Sequence, residues 1–355
     1  MSYVLEFEEI TKASLPVVGG KNASLGEMLN AGIRVPPGFA VTTRSFVEFI
    51  TEARVKEEIS KVLTALKPDD VVSLDDASSQ IRKLIEKAPM PAMIVNAISE
   101  AYASLCKKNL SEELPVAVRS SATAEDLPGA SFAGQQDTYL WIQGFEEILK
   151  KIKLCMASLF GPRAISYRTK IGFPHEKVLI SVGVQKMVDA KAAGVMFTLN
   201  PLNGDPSRVV IEGNWGLGES VVSGMVNPDK FVVDKVTFEI NERVISPKTI
   251  ESKYLAGKGV IHADVHPDKQ NISCLEDNEI KELVKVAKQI EDHYGFGQDI
   301  EWAIEKDKPF PSNIFILQSR PETVWSQKRK EPLLGKKTAY ELLMEKALSQ
   351  IKINY

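Results

Sequence analysis

Four side chains late in the chain have the types and spacing to hold a metal polyphosphate. Residues 298–304 alternate in the manner of a strand, which sets Asp299 and Glu301 on one face. Residues 313–321 read as a neighbouring strand, and there Gln318 and Arg320, two apart, also share a face. Carboxylate and amide oxygens are hard ligands suited to Mg²⁺, and an arginine fork suits phosphate. The same four residues would equally make a cross-strand salt bridge on a sheet surface.

Two further cations sit where an oxyanion would be welcome. Arg119 follows the apolar run 116–118, a short buried strand, and precedes a hydroxyl-rich, acidic loop at 120–129. Residues 130–133 and 137–141 then predict two strands joined by Gly134-Gln135-Gln136. A cation beside a glycine-bearing hairpin is a phosphate clamp in outline; a surface hairpin with a stray arginine has the same outline. Lys21 follows Gly19 and Gly20 at a loop-to-helix junction, where backbone N–H groups favour an anion. The GxxxxGK[ST] spacing of a Walker A loop is absent.

These groups need a scaffold. Residues 3–10 alternate as an opening strand, and 22–30 have helical character ending at Gly32. Thr42 or Thr43 is placed to cap a helix over 44–51, and 52–110 predict two or three surface-covering helices. Ile148, Leu149, Ile152, Cys155, Met156 and Leu159 follow a 3.6-residue period that ends near Gly161-Pro162. Arg163 and Arg168 beyond it are expected to be solvated or ion-paired. Strands are expected over 178–188, 192–200 and 209–215, the last opening into the glycine loop 213–218. Ser273-x-x-Glu276 has a capping-box pattern before a helix with Ile280, Leu283, Val284, Ala287 and Ile290 inward.

Ala117-Val-Arg-Ser-Ser-Ala122, Ser131-Phe-Ala-Gly-Gln-Gln136 and the later Gly216-Leu-Gly-Glu219 occur in an order that resembles one family. It is the nucleotide-binding domain shared by phosphoenolpyruvate synthase, pyruvate phosphate dikinase and rifampin phosphotransferase, and the likeness runs from about Val18 to Val324. The resemblance implies an α/β (α+β) ATP-grasp fold, two lobes clamping the nucleotide, with mixed and antiparallel sheets. It implies that Lys21 and Arg119 bind ATP phosphates, with Gly134, Gln135, Gln136, Asp137 and Thr138 forming a covering loop. Gln185 and Met187 would lie near the adenine. Glu301 and Gln318 would hold Mg²⁺ with Asp299 close by, and Arg320 would contact the transferred phosphates. Catalysis is then expected of Arg119, Arg320 and Lys21.

In that family the nucleotide domain phosphorylates a histidine on a mobile domain, with AMP and phosphate released in the synthase-type enzymes. That histidine lies in a sequence resembling Gly-Gly-x-x-Ser-His-Ala-Ala, and none of His175, His262, His266 or His293 has such neighbours. The expected arrangement is therefore a split dikinase like phenylphosphate synthase. Its carrier histidine would sit on a partner subunit and the final acceptor would be pyruvate or a phenol-type compound. A non-catalytic ATP sensor and a self-sufficient antibiotic phosphotransferase are the alternatives.

Composition narrows the partners. The formal charge of −3 gives no reason to expect nucleic acid or an anionic membrane. No run of eighteen apolar residues and no signal-peptide core are present, and Cys106, Cys155 and Cys274 lack metal spacing, so a cytoplasmic location is expected. The expected organisation is 1–110, the start of the first lobe with covering helices; 111–190, the phosphate clamp and inter-lobe strand; 191–325, the second lobe with the metal site; and 326–355, a basic helical tail.

Overall fold

The computed structural model describes residues 2–66, 70–123, 126–127, 130–131 and 137–325. Helix α1 (Leu15–Asn30) carries a break at Gly19, whose φ of 72° and ψ of 171° leave the helical region. The chain thus turns and restarts its helix around Gly20, which sets Lys21 at a helix start. A side chain at Gly19 would overlap the Ser121 carbonyl in addition to straining the backbone. Gly19→Ala is expected to cost about 2 kcal/mol or more, read as a lowered denaturant midpoint with an unchanged slope.

A first sheet has the order β1 (Val4–Glu6), β2 (Gly38–Val41), β7 (Ile180–Lys186), β3 (Val116–Ala122), β6 (Thr138–Ile142). The opening strand is shorter than the alternation predicts, because Phe7–Glu9 turns into a 3₁₀ segment that buries Phe7. Four helices follow β2: α2 (Thr43–Glu52), α3 (Lys56–Thr64), α4 (Val71–Lys87) and α5 (Ala92–Lys108). Thr42 is the N-cap of α2, but its hydroxyl is spent on the Ser2 carbonyl, 2.9 Å away, instead of capping. The expected pairing of 130–133 with 137–141 does not occur among the described residues. Instead β4 (Asp126–Leu127) pairs with β5 (Ala130–Ser131), and β6 pairs with β3.

Helices α6 (Phe145–Ser158) and α7 (Pro162–Lys170) complete this half. Arg168 is not solvated: it is 1 % exposed, donating from Nε to His175 Nδ1 at 2.9 Å and from Nη2 to the Leu159 carbonyl at 2.7 Å. Burial, with the Arg168 charge, holds the His175 pKa below its usual value. A neutral His175 therefore contributes stability that is present above about pH 6.5 and lost as pH falls toward its lowered folded value. Unfolding midpoints should drop between pH 7 and 5, and His175→Gln should flatten part of that slope.

The second sheet has the order β11 (Ile240–Val244), β10 (Asp229–Asp234), β9 (Arg208–Trp215), β8 (Ala190–Phe197), β14 (Gln298–Glu305), β15 (Ile314–Pro321). After β9 comes the one-turn helix α8 (Glu219–Val222), and β12 (Ile250–Leu255) and β13 (Gly259–Asp264) form a separate hairpin. Every ladder between named strands among the described residues is antiparallel, with one isolated parallel bridge from Gly216 to Ser252, within a mixed helix-and-sheet fold. After the short α9 (Pro267–Gln270), helix α10 (Asp277–Tyr294) buries Ile280, Leu283, Val284, Ala287 and Ile290 and ends at Gly295 in the left-handed region. Its capping box lies one turn beyond the expected site, between Glu276 and Glu279, because the Ser273 hydroxyl donates to the Leu275 carbonyl. One face of α1, with Val18, Leu25 and Met28, packs into this second core beside Ile211 and Trp302, so α1 ties the two sheets together. No described helix is long and apolar enough to cross a membrane. The three cysteines are buried and free.

Candidate active site

Arg119 emerges from β3 between buried neighbours and reaches the second sheet. Its Nη2 donates to Glu301 Oε2 at 3.0 Å and to Gln318 Oε1 at 2.7 Å, and Nη1 donates to the Leu317 carbonyl at 3.1 Å. Glu301 and Gln318 are direct register partners across β14 and β15, so their oxygens arrive side by side. Arg119 Nε is buried with no hydrogen-bond partner. Such an orphaned donor on a charged group is costly unless something else binds there.

Asp299 and Arg320, a register pair two residues along on the same face, form an ion pair with Arg320 Nη2 at 2.6 Å and Nε at 2.8 Å from Asp299 Oδ2. Burial still raises the Asp299 pKa, with Arg320 opposing it. Arg320 remains about half exposed in its side chain, at 48 %, and so is accessible to a ligand. Lys21 Nζ lies 3.4 Å from the Ser120 carbonyl, one residue from Arg119. Lys21, Gln318 and Arg320 line a small cavity of about 200 Å³ with Ser24 and Tyr294.

A second cavity, of about 290 Å³, lies between the two sheets and is lined largely by apolar groups. Arg119, Thr138, Gln185, Met187 and Glu301 all border it, so the fold brings these five expected site residues together. Gln185 is 3 % exposed and its amide donates to the Pro36 carbonyl at 3.3 Å. The N–H groups of Lys186 and Met187 are taken by the Pro37 and Pro115 carbonyls, both at 2.9 Å. Asp137 is placed elsewhere. Its carboxylate accepts from Arg82 at 3.2 Å and Tyr139 at 3.1 Å and borders a different groove, with Arg163 and Lys170. Gly134, Gln135 and Gln136 lie outside the described residues.

Lys186 and Glu219 also border the cavity, although the motifs that contain them assigned them no role. Burial lowers the Lys186 pKa while Glu305, 4.0 Å away, opposes the shift. Glu219 heads α8 directly after the glycine loop; its place at the end of Gly216-Leu-Gly-Glu219 is the signal that could have found it. None of the four histidines borders the cavity. His175 meets Arg168, His262 meets Ser252, His266 lies beside Asp268, and His293 meets Glu27.

The donors fit a hard divalent cation. Two side-chain oxygens from separate strands already converge on one positive group, the Arg119 guanidinium. Among the described residues no group of three or more His, Cys, Asp or Glu residues is gathered for a metal. Glu301 with Gln318, and Asp299 nearby, are the donor set for an ion held by one or two carboxylates with phosphate oxygens completing its shell.

A largely apolar cavity between two sheets, bordered by Arg119, with Lys21 and Arg320 lining a second cavity, suits a nucleotide with its phosphates. The chain belongs to the family described as pyruvate phosphate dikinase, AMP/ATP-binding domain, which matches residues 15–339. Its similar relatives include a probable phosphoenolpyruvate synthase of Staphylothermus marinus, 45 % identical over 99 % of this chain and 45 % of the relative. A probable phosphoenolpyruvate synthase of Methanocaldococcus jannaschii is 47 % identical over 93 % of this chain and 27 % of its own length. The phosphoenolpyruvate synthase of Pyrococcus furiosus is 42 % identical over 90 % of this chain and 44 % of the relative. The chain therefore spans less than half the length of each of these three relatives.

Proposed function

We propose that this chain is the ATP-binding, phosphoryl-donating unit of a dikinase-type phosphotransferase with the ATP-grasp fold. The regions around the two sheets, up to residue 190 and from 191 to 325, would act as its lobes. It would pass one phosphoryl group of Mg-ATP to a histidine carried outside this sequence and another to water, giving AMP and phosphate overall, with the histidine's phosphate delivered to pyruvate or a phenol-type acceptor. Arg119 reaching across to Glu301 and Gln318 is the observation that carries the reading. A second supports it: every histidine of the chain is engaged away from the cavity. The carrier would then be a further domain or a partner subunit in the cytoplasm.

In this mechanism the apolar cavity shelters the base, and Lys186 and Glu219 border it. Arg119 exchanges carboxylate and amide partners for phosphate oxygens, and its unpartnered Nε gains an acceptor. Lys21 and Arg320 meet the far phosphates, where fixed cations stabilise the charge spread over the transferring group. Glu301 and Gln318, with Asp299 nearby, would hold Mg²⁺, which neutralises charge on the polyphosphate.

Phosphorus NMR of the purified chain with Mg-ATP tests this directly. AMP and phosphate, formed only when a carrier domain is added and leaving acid-labile phosphate on it, is the expected result. ADP from the chain alone would point instead to a self-sufficient kinase. Binding without turnover in either sample would point to a sensor.

A further inference from the structure

Residues 250–264 form a hairpin that belongs to neither large sheet, pairing Ile250 with Asp264 through to Leu255 with Gly259. Its first strand grips the glycine loop. The Leu217 N–H donates to the Ser252 carbonyl at 2.8 Å, and Asn214 Nδ2 donates to the Ile250 carbonyl at 2.8 Å. Gly216 bridges to Ser252 at a φ of 75°, so close that a Cβ there would strike the Ser252 carbonyl. Leu217, Gly218 and Glu219, next along the chain, border the larger cavity.

The hairpin's other contact is with the first sheet. The Tyr254 ring stacks on Trp141 with centroids 4.7 Å apart and planes 11° from parallel. Its hydroxyl donates to Gln143 Oε1 at 3.1 Å. Val260 joins Leu140 and Leu317 in an apolar cluster around Leu217. Trp141 is aimed there by a bulge: Val116 pairs with Ile142 and Val118 with Tyr139, leaving Leu140 and Trp141 together opposite Ala117. Trp141 also takes a φ of 57°, a left-handed conformation that an aromatic residue keeps only where its surroundings enforce it.

We infer that the β12–β13 hairpin is a clasp between the two lobes that sets how fast nucleotide leaves the cavity, with Tyr254 and Trp141 as its positioning residues. The inference rests on the nucleotide reading above. Each large sheet is held internally by continuous ladders and its own buried core, whereas the link from hairpin to first sheet rests on one stacked pair, one hydrogen bond and the half-buried Val260. The weakest link opens most readily. A base entering beside Leu140 and Leu217 would be covered by walls that this pair holds together.

Tyr254→Ala and Tyr254→Phe separate the ring from its hydroxyl. Stopped-flow displacement of a fluorescent ATP analogue should show release roughly 3- to 10-fold faster in the alanine variant, the size of a lost aromatic stack. The phenylalanine variant should stay near the unaltered protein. Amide exchange without nucleotide should rise in the alanine variant both at 138–142 and at 216–219, with the overall unfolding midpoint retained. Unchanged exchange at 216–219 would overturn the clasp whatever the nucleotide kinetics. No binding of the analogue to the unaltered protein would overturn the nucleotide reading and the clasp's role with it. Normal binding with unchanged release in Tyr254→Ala would overturn the clasp alone.

Discussion

Arg119→Ala is expected to lower carrier-dependent ATP turnover by roughly 10³-fold, the scale of losing a cation that stabilises a phosphoryl transition state. Arg119 is placed to act in two ways: it bridges the sheets through Glu301, Gln318 and the Leu317 carbonyl, and it holds a buried, unpartnered Nε beside the cavity. The bridge alone would make it a structural residue. The two roles differ in what else changes. A structural bridge predicts loss of stability with activity falling in proportion, whereas a transition-state cation predicts a collapsed turnover in a protein whose unfolding midpoint moves little. Arg119→Lys sharpens the comparison, since it retains charge but not the planar fork, and should recover binding better than turnover. Measuring turnover and unfolding on the same preparations decides between them. Turnover within about tenfold of the unaltered protein would remove Arg119 from the chemistry, since transition-state cations contribute far more.

The second large effect concerns stability, at a pair that lines neither cavity. Lys248 and Asp229 are both fully buried, with Nζ 2.6 Å from Asp229 Oδ1. The pair is well satisfied: Lys248 also donates to the Ser246 carbonyl at 3.0 Å, and Asp229 accepts from the Ser246 and Cys274 N–H groups at 3.0 and 2.8 Å. Lys248→Met would leave a carboxylate in the core with no cation, a change that costs about 3–5 kcal/mol. Chemical denaturation should show that loss directly. The double variant Asp229→Asn with Lys248→Met should recover a substantial part of it, because the asparagine oxygen still accepts the backbone N–H groups without carrying a charge. A single variant as stable as the unaltered protein would mean that the pair contributes nothing net.

The alternation of 298–304 and 313–321 was enough to put Asp299 with Glu301 and Gln318 with Arg320, because a strand's two-residue period is local. It left open whether these four made a salt bridge or a ligand site, and the fold divides them. Asp299 and Arg320 form the salt bridge, while Glu301 and Gln318 turn to Arg119. Asp137 illustrates a different limit. Thr138, which opens β6, borders the cavity, whereas Asp137, just before the strand, turns to Arg82 and Tyr139. A motif that treats consecutive residues as one loop cannot make that distinction.

The sequence by itself determined the local devices: the break at Gly19, the buried face and glycine stop of α10, the paired acids and amide on adjacent strands, and the ordered motifs that mark the family. Tertiary structure alone decided which of these meet. Arg119 reaches a carboxylate 182 residues away, Lys248 finds Asp229 inside a core, and Tyr254 of the small hairpin finds Trp141 on the first sheet. The physical reason is the range of the forces involved. Backbone propensity and hydrophobic period act over a few residues and leave their record in spacing. A buried charge is instead matched by whatever partner the packing of distant elements brings within about 3 Å, and spacing holds no record of that.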